Sequence, residues 1–338
     1  MSSTYSSTID QLGRPLRDLR LSIIDACNFR CRYCMPADKF PAGYQFLTAR
    51  ERLSVDEIER LGRIFIRAGV RKIRLTGGEP LLHRDVIEIV RRLATLSDLQ
   101  DLAMITNGFR LERHAEALKE AGLQRLTVSL DALDDKVQAR ISPKDVDVKH
   151  VLQGISAAKS AGFTGTKINC VVIKGVNDNQ IIPLTEWALG EGHILRFIEY
   201  MDVGTSNGWR KDEVFGREQI LERLATRWAI EPLHARYHGE VATRFRCGSG
   251  EIGIINSVTQ PFCGSCTRAR LSARGELYPC LFSKKGTDLL TPLREHASDE
   301  DLLALITGFW NPRNDRYSEL RHTFDSPQDK VDMHHIGG

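Results

Sequence analysis

Six short runs of aliphatic and β-branched residues alternate with stretches of helical periodicity across the first two hundred residues of this 338-residue chain. Their composition predicts buried strands at Arg20–Asp25, Lys72–Thr76, Leu102–Thr106, Arg125–Ser129, Lys167–Ile173 and Leu195–Tyr200. The intervening patterns predict helices at Ser54–Ala68, Asp85–Ala94, Glu112–Ala121, Lys149–Ala161 and Ile182–Leu189. Strands that alternate with helices pair in parallel through right-handed connections. The six units therefore predict an α/β fold, a partial (β/α)6 TIM-like barrel rather than a closed barrel of eight strands.

Distinctive polar segments follow the predicted strands. Cys27 comes after the first strand, Gly77–Pro80 after the second, Asn107–Gly108 after the third and Ser129–Asp131 after the fourth. In folds of this kind ligands gather at the carboxyl ends of the strands, so we expect these segments to share one site. Beyond the sixth strand the alternation weakens. We predict a flexible N-terminal arm at 1–18, the barrel at 19–205 and a smaller C-terminal region at 206–338.

Charge and composition restrict the class of partner. Lys and Arg total 47 and Asp and Glu total 44, a formal net charge of +3, and 41% of the residues are hydrophobic. This composition is typical of a globular protein, and the charge imbalance is too small to indicate a nucleic-acid or membrane partner. The sequence shows neither an apolar run of membrane-spanning length nor the pattern of a signal peptide. We therefore expect a cytoplasmic protein.

The first group of cysteines has the spacing C-x3-C-x2-C and comprises Cys27, Cys31 and Cys34. Disulfides are rare in a reducing compartment, so a tight group of this kind indicates a metal site. Three thiolates suit an iron–sulfur cluster with one open iron. A zinc site completed by His83 or Cys170 is the alternative.

A second group has the spacing C-x2-C-x13-C and comprises Cys263, Cys266 and Cys280. It too fits a cluster with an open iron, or a zinc site completed by Cys247 or His238. Within it, Arg268 and Arg270 are two residues apart on an extended segment, so their side chains point to the same side. This spacing suits phosphate binding, and a solvated surface is the alternative.

The first cysteine group, with Tyr33 at its aromatic position, resembles the signature of the radical S-adenosylmethionine (SAM) superfamily. The Gly-Gly-Glu-Pro stretch at Gly77–Pro80 is the usual companion of that signature. The resemblance implies a [4Fe-4S] cluster held by Cys27, Cys31 and Cys34. Its open iron would bind SAM, which is cleaved to a 5′-deoxyadenosyl radical.

Further segments, in order, resemble the GTP 3′,8-cyclase family, which starts molybdenum cofactor biosynthesis. They are DLRLSI, KIRLTGGEP, VSLDALDD, LRFIEYM, FCGSCTRARL, ELYPCLF and the final IGG, and they span positions 18 to 338. The resemblance implies that GTP becomes (8S)-3′,8-cyclo-7,8-dihydroguanosine 5′-triphosphate after loss of its C3′ hydrogen. It also implies a second [4Fe-4S] cluster that binds guanine, an electron donor, and transfer of the product to the next molybdopterin-pathway enzyme. The oligomeric state is left open, a homodimer included.

The family's contact positions can be carried onto this sequence residue by residue. The substrate cluster would be held by Cys263, Cys266 and Cys280. The SAM-contacting positions are Tyr33, Gly78, Ser129 and Met201, and the GTP-contacting positions are Arg20, Arg74, Lys167, Arg268, Ala269 and Arg270. The resemblance also implies that Gly337 and Gly338 enter the active site and are needed for activity. Ile105 departs from the family pattern, which has threonine there, so no side-chain contact is carried over.

Two other functions are compatible with parts of the sequence. The first is a radical SAM enzyme with an auxiliary cluster that modifies a peptide or RNA, although the arginines fit a triphosphate better. The second is a structural or nucleic-acid-binding protein with two zinc sites, against which the nearly neutral charge argues. Under the favoured interpretation, Cys170 and Cys247 are not ligands.

Overall fold

The computed structural model describes residues 8–143, 147–323 and 330–338. Within these ranges, six strands pair in parallel and in chain order at the centre of one sheet. They are β1 (Asp18–Ile24), β2 (Lys72–Gly77), β3 (Asp101–Thr106), β4 (Arg125–Ser129), β5 (Lys167–Val172) and β6 (Ile194–Glu199). Each lies within two residues of its predicted position at both ends. The predicted α/β partial barrel is confirmed.

Helices cover the outer face of these strands. They are α1 (Val55–Arg67), α2 (Val86–Ala94), α3 (Ala115–Glu120), α4 (Asp135–Ile141), α5 (Val148–Ser160), α6 (Ile181–Glu191) and α7 (Arg217–Ala225). Ser54 begins α1, with its side chain accepting from the Glu57 amide at 3.2 Å and the Glu57 carboxylate accepting from the Ser54 amide at 2.7 Å. This reciprocal pair is the capping box that the sequence predicts.

Two helical segments differ from the sequence prediction. The helix expected at Glu112–Ala121 is divided into a 3₁₀ turn at Leu111–Arg113 and α3. The sequence interpretation missed α4, which has seven residues, too few to show a clear helical period. It begins at Asp134, whose carboxylate accepts from the amides of Lys136 and Val137 at 2.8 and 3.0 Å.

The chain after residue 206 extends the same sheet at both edges. At one edge β9 (Gly250–Ile255) pairs in parallel with β6, followed by antiparallel β8 (Thr243–Cys247) and β7 (Ile230–Leu233). At the other edge β10 (Arg268–Leu271) pairs in parallel with β1, followed by antiparallel β11 (Glu276–Tyr278) and β12 (Thr287–Asp288). The remaining helices are α8 (Leu290–Arg294), α9 (Asp299–Trp310), α10 (Tyr317–Leu320) and α11 (Met333–Ile336). The predicted C-terminal region thus flanks the barrel strands on two sides.

The predicted flexible arm is wrong for residues 8–17, while residues 1–7 lie outside the described residues. The Thr8 hydroxyl donates to the Ala68 carbonyl at 2.7 Å. Asp10 and Arg14 form a fully buried ion pair, with 2.6 Å between Oδ2 and Nε. Trp310 at the end of α9 is buried and donates from Nε1 to the Arg14 carbonyl at 3.0 Å. These long-range partners, which local periodicity does not reveal, hold the segment against the barrel.

In the described part of the chain, every helix is too short or too polar to cross a membrane.

Candidate active site

The Gly-Gly-Glu-Pro turn after β2 packs directly against the end of β1. The Gly78 and Glu79 amides donate to the carbonyls of Ile24 and Ala26 at 2.7 and 2.9 Å. A Cβ on Gly77 would lie 2.1 Å from the Ile24 carbonyl oxygen, and one on Gly78 would lie 2.2 Å from that of Ala26. Only glycine allows this approach. The turn therefore lies beside the first cysteine, one residue beyond Ala26.

Glu79 fixes the neighbouring loop. Its buried carboxylate accepts from the Thr106 hydroxyl at 2.6 Å and from the Asn107 amide at 2.7 Å. The side chain of Asn107 in turn donates to Asn28 at 2.8 Å and approaches the Cys27 sulfur at 3.9 Å. Burial raises the pKa of Glu79. The carboxyl ends of β1, β2 and β3 are thus joined around the cysteine loop, as the sequence predicts.

Cys27, Cys31 and Cys34 are free thiols that line one large cavity. Burial, with Glu79, raises the pKa of Cys27 to about 12, and burial with Asp131 raises that of Cys31. Burial and the other two thiols raise the pKa of Cys34. Buried thiols in such surroundings become thiolates when a positively charged centre binds them. Three thiol donors facing one cavity fit the iron–sulfur cluster that the sequence predicts.

Tyr33, between two of these cysteines, is anchored to the end of β4. Its hydroxyl donates to Asp131 Oδ2 at 2.8 Å, while Oδ1 of the same carboxylate accepts from the Val171 amide at 2.8 Å. Burial raises the pKa of Asp131 to about 6. This connection fixes the tyrosine ring at the cavity wall.

An in-register row of arginines lines the same cavity. The sequence pattern charged–apolar–Arg–Leu recurs as DLRL in β1, KIRL in β2 and RARL in β10. Parallel pairing aligns the three tetrapeptides, so that Arg20 lies between Arg74 and Arg270. Side chains alternate along a strand, and the arginines face the cavity while the leucines face the hydrophobic core.

The cations of this cavity are strongly coupled. Burial, with Arg74 and Arg270, lowers the pKa of Arg20. Burial and Arg196 lower the pKa of Lys167 to about 7. The Nε atoms of Arg20 and Arg74 are buried with no hydrogen-bond partner among the described residues. Cations that repel one another and retain buried donors form a site for a multiply charged anion.

The second cysteine group lines a smaller cavity beside the first. Cys263, Cys266 and Cys280 face it, and Arg268 and Arg270 line both cavities. Arg268 Nη2 lies 3.1 Å from the Cys266 sulfur. Although burial opposes ionisation, Arg268 and Arg313 lower the pKa of Cys266 to about 7. Three thiols beside arginines are a donor set for a second cluster next to an anion site.

The C-terminal tail reaches the large cavity, where Gly338 forms part of the wall. Arg20 Nη1 donates to the Gly338 carbonyl oxygen at 2.6 Å, and Arg270 Nη1 donates to the Gly337 carbonyl oxygen. Gly337 has a φ of +74°, and its Cβ would lie 2.3 Å from Thr76 Cγ2. The Gly-Gly tail therefore contacts two arginines of the predicted triphosphate site.

The other predicted residues fall on the cavity wall with one exception. Gly78, Ser129, Met201 and Ile105 all line the cavity. Ala269 differs: it is fully buried and its side chain packs in the hydrophobic core, because it alternates with the two arginines of β10. Only its backbone remains for a ligand contact.

The alternative zinc ligands are not gathered around the cysteine groups. Cys170 on β5 and Cys247 on β8 are buried in the hydrophobic core, and His238 lies in an exposed loop. The His83 ring accepts from the Asp85 amide at 3.1 Å. Among the described residues, no group of three or more His, Cys, Asp or Glu side chains is placed to hold a single metal ion.

Sequence reasoning missed several residues of the cavity wall. Lys72 lies beside Asp18 with 2.8 Å between Nζ and Oδ2, in the row next to the arginines. Arg196 on β6 donates to the Asn169 side chain at 2.9 Å. Tyr237 lies in the loop before β8. Lys72 is the first residue of KIRL, so the repeated tetrapeptide could have predicted it. The sequence around Tyr237 contains no comparable pattern.

Comparison with known proteins identifies the class first. Residues 21–188 match the model of the Radical SAM superfamily. The crystal structure of Streptococcus suis SuiB bound to S-adenosylmethionine has the same fold, with a TM-score of 0.60 and 15% identity, covering 95% of this chain and 78% of that one. Fold and cysteine loop thus define a radical SAM protein.

The particular family follows from closer relatives. Residues 193–319 match the model described as Molybdenum Cofactor Synthesis C. A GTP 3′,8-cyclase of Acidothermus cellulolyticus is 53% identical over 318 residues, 92% of this chain and 88% of the relative. That of Xanthomonas axonopodis pv. citri is 51% identical over 332 residues, 97% and 98% of the two chains. The chain belongs to the GTP 3′,8-cyclase family, which confirms the sequence resemblance.

Proposed function

We propose that this protein converts GTP to (8S)-3′,8-cyclo-7,8-dihydroguanosine 5′-triphosphate, the first step of molybdenum cofactor biosynthesis. The observation that carries the proposal is the row of Arg270, Arg20 and Arg74 between the two cysteine groups. A triphosphate carries several negative charges, and a row of guanidinium groups offers paired donors for them. A nucleotide held there lies between a SAM site and the second cysteine group.

The SAM half of the site is assigned to the carboxyl ends of β1 to β6. Cys27, Cys31 and Cys34 would hold a [4Fe-4S] cluster, and Tyr33, Gly78, Ser129 and Met201 would contact SAM. When bound, the cluster and SAM supply the 5′-deoxyadenosyl radical that removes the C3′ hydrogen of GTP. The chain's own residues orient the two ligands. The close approach of the glycine turn leaves backbone groups, rather than side chains, facing the cavity.

The GTP half is assigned to the strand row and the second cysteine group. Arg20, Arg74, Lys167, Arg268 and Arg270 would bind the triphosphate. A second [4Fe-4S] cluster on Cys263, Cys266 and Cys280 would hold the guanine, and an external donor would supply electrons. The product would then pass to the next molybdopterin-pathway enzyme.

One cavity carries residues of both proposed ligand sites. Tyr33 and Met201, assigned to SAM, and Arg20, assigned to GTP, all line it. The smaller cavity of the second cysteine group adjoins it, since Arg268 and Arg270 line both. Since SAM and GTP must react with each other, this arrangement fits the proposed reaction.

The decisive experiment is anaerobic reconstitution followed by iron and sulfide counting. Incubation with SAM, a strong reductant and GTP should yield 5′-deoxyadenosine and the cyclised triphosphate. A colourless protein with zinc and no iron would overturn the proposal. Displacement of GTP by excess peptide or RNA would instead favour an enzyme that modifies one of those polymers.

The arginine row can be tested separately with matched variants. Arg74→Met should weaken GTP binding about tenfold or more, because a charge-assisted contact is lost. Iron content and SAM binding should stay as in the wild type. Arg91→Met, on the exposed side of α2, serves as the control of equal charge change. Equal GTP affinity in the two variants would show that Arg74 does not bind the triphosphate.

A further inference from the structure

Residues 330–338 carry the Gly-Gly tail into the cavity, and the loop between β6 and α7 holds the start of this segment. Lys330 Nζ donates to the Asp202 carbonyl at 2.7 Å and to its carboxylate at 2.6 Å. Tyr317 and Arg321 donate to the same carboxylate at 2.5 and 2.8 Å. The Lys330 side chain is only 5% exposed. The segment is thus fastened by a buried charge pair at its first described residue.

A second contact fastens the segment two residues later. Asp332 Oδ1 accepts from the amides of Thr205 and Ser206 at 3.1 and 3.3 Å, and Oδ2 accepts from the Ser206 hydroxyl at 2.9 Å. Gly204 makes room for this contact. A Cβ there would lie 2.2 Å from Asp332 Oδ1 and 2.9 Å from its Cα. Asp332 therefore caps a turn that only glycine allows it to reach.

The same loop carries a wall residue of the SAM site. Met201 lines the cavity, and its carbonyl accepts from the Asn207 side chain at 2.9 Å. The Asn207 carbonyl accepts from the Tyr200 hydroxyl at 2.8 Å. These bonds tie the first residues of the loop to Asn207. Met201 and the residues that receive the tail therefore belong to one hydrogen-bonded unit.

We propose that Lys330 and Asp332 are positioning residues that couple insertion of the Gly-Gly tail to binding of SAM. This rests on the proposed function, which assigns Met201 to SAM. A ligand that orders the loop around Met201 stabilises the turn that receives Asp332, and thereby the tail. Because coupling between sites is reciprocal, an inserted tail must also tighten SAM binding. SAM binding then strengthens the contacts of the tail with Arg20 and Arg270.

Two glycines of the loop provide a matched test in the reconstituted full-length enzyme. Gly204 and Gly208 have φ values of +64° and +57°, so alanine brings similar backbone strain at both. Only at Gly204 would the new Cβ meet Asp332, since no described residue has an atom within 4 Å of a Cβ at Gly208. Gly204→Ala should raise the Kd for SAM about fivefold or more, in the range of ordinary coupling energies, while Gly208→Ala should not.

Hydrogen exchange of the tail gives a readout independent of activity. In the wild type and in Gly208→Ala, SAM should slow amide exchange across 330–338. In Gly204→Ala the tail should exchange fast with or without SAM, at unchanged iron content. Equal SAM affinity in the two variants, with equal protection of the tail, would overturn the coupling.

A second pair of variants covers the case in which Gly204→Ala fails to fold. Asp332→Ala removes the cap without adding bulk, and Lys285→Ala, an exposed residue before β12, is its control. Asp332→Ala should show the same loss of SAM affinity and tail protection. Failure of the wild type to consume GTP would reject the proposed function. The coupling is judged on SAM affinity and tail exchange alone.

Discussion

Lys167 projects from β5 into a cavity crowded with cations, and the charge of its ammonium group changes near neutral pH. Burial, together with the nearby charges of Arg196 and Arg125, lowers its pKa to about 7. An ordinary lysine has a pKa near 10.4 and stays charged throughout this range. The ligand-free protein therefore keeps Lys167 largely neutral at pH 8.

A bound triphosphate should return the proton to Lys167. The negative charge raises the pKa of the ammonium group, so GTP binding at pH 8 takes up a proton, and affinity falls as the pH rises above 7. The fall can reach about tenfold per pH unit until the raised pKa is passed. Calorimetry in buffers of different ionisation enthalpy measures the proton uptake.

Lys167→Arg is the control for this pH dependence, because a guanidinium stays charged across the range. The proton of the triphosphate itself contributes equally to both proteins. The variant should therefore take up fewer protons than the wild type at pH 8. Identical uptake by the two would mean that Lys167 does not bind the triphosphate.

The two tail glycines are expected to differ in importance. A Cβ on Gly337 would meet Thr76 at 2.3 Å and Ser22 at 2.9 Å, at a positive φ. On Gly338 it would meet the flexible Met333 side chain at 2.9 Å. Gly337→Ala should thus lower product formation about a hundredfold, as small misplacements in an active site do, and Gly338→Ala should lower it less.

Replacing both glycines with alanine should abolish product while both clusters remain. Iron counting and the rate of product formation check this outcome. Full turnover by the double variant would show that the tail has no role in the reaction. A loss of iron would show instead that the tail is needed for assembly of the site.

A buried ionic network ties the N-terminal segment to the second cysteine group. Asp10 accepts from Arg14 at 2.6 Å and from Arg313 at 3.4 Å. Arg14 also donates to the Cys263 carbonyl at 2.8 Å, and Arg313 donates to that of Cys266 at 2.8 Å. Three parts of the chain far apart in sequence thus meet around one turn.

Arg14→Met should both destabilise the protein and loosen this turn. Breaking a buried pair costs about 3 to 5 kcal/mol when the remaining charge is left alone. Asp10 keeps its contact with Arg313 at 3.4 Å, so the loss here should stay below that range. Guanidinium unfolding measures the loss, and iron content should fall toward one cluster per chain. Arg84→Met, which breaks the exposed pair with Asp85, should leave both quantities unchanged. Equal stability and equal iron content in the two variants would show that the network does not hold this turn in place.

The central strands could be predicted, whereas the edge strands could not. Strands β1 to β6 are largely buried and rich in aliphatic and β-branched residues, so their positions followed from composition. Strands β7 to β12 have two to six residues, and half of them carry exposed charged residues. Their pairing depends on partners up to 250 residues away, as between Arg20 and Arg270. Short-range sequence patterns do not predict such long-range pairing.

One cavity of the folded molecule is lined by residues from β1 through to Gly338. Most of the residues that the cysteine motifs and the family resemblance single out line this cavity, whereas much of the rest of its wall was not predicted. The role of the tail in contacting Arg20 and Arg270 could be expected only from the resemblance. The contacts of Lys330 and Asp332 could not be expected at all, because they depend on the tertiary path of the chain.

The outer wall of this cavity should close when both ligands bind. Arg236, Tyr237 and Glu240 line it from the loop between β7 and β8, and Tyr237 is 52% exposed. A radical intermediate must be kept from water, so the loop must pack onto the bound ligands. A ligand at 100 times its Kd stabilises the closed form of the loop by about 2.7 kcal/mol. If the loop opens only in the free protein, its amides then exchange roughly a hundredfold more slowly for each bound ligand.

Hydrogen exchange of residues 234–242 should therefore slow most when GTP and SAM are present together. Each ligand alone should have a smaller effect, since neither fills the cavity. Helix α9 packs against α1 on the outer face of the sheet, away from the cavity, and its exchange provides the internal control. Tyr237→Ala should reduce the protection and raise the fraction of 5′-deoxyadenosine formed without product, because water then reaches the radical. Unchanged exchange of the loop with both ligands bound would show that another element closes the site.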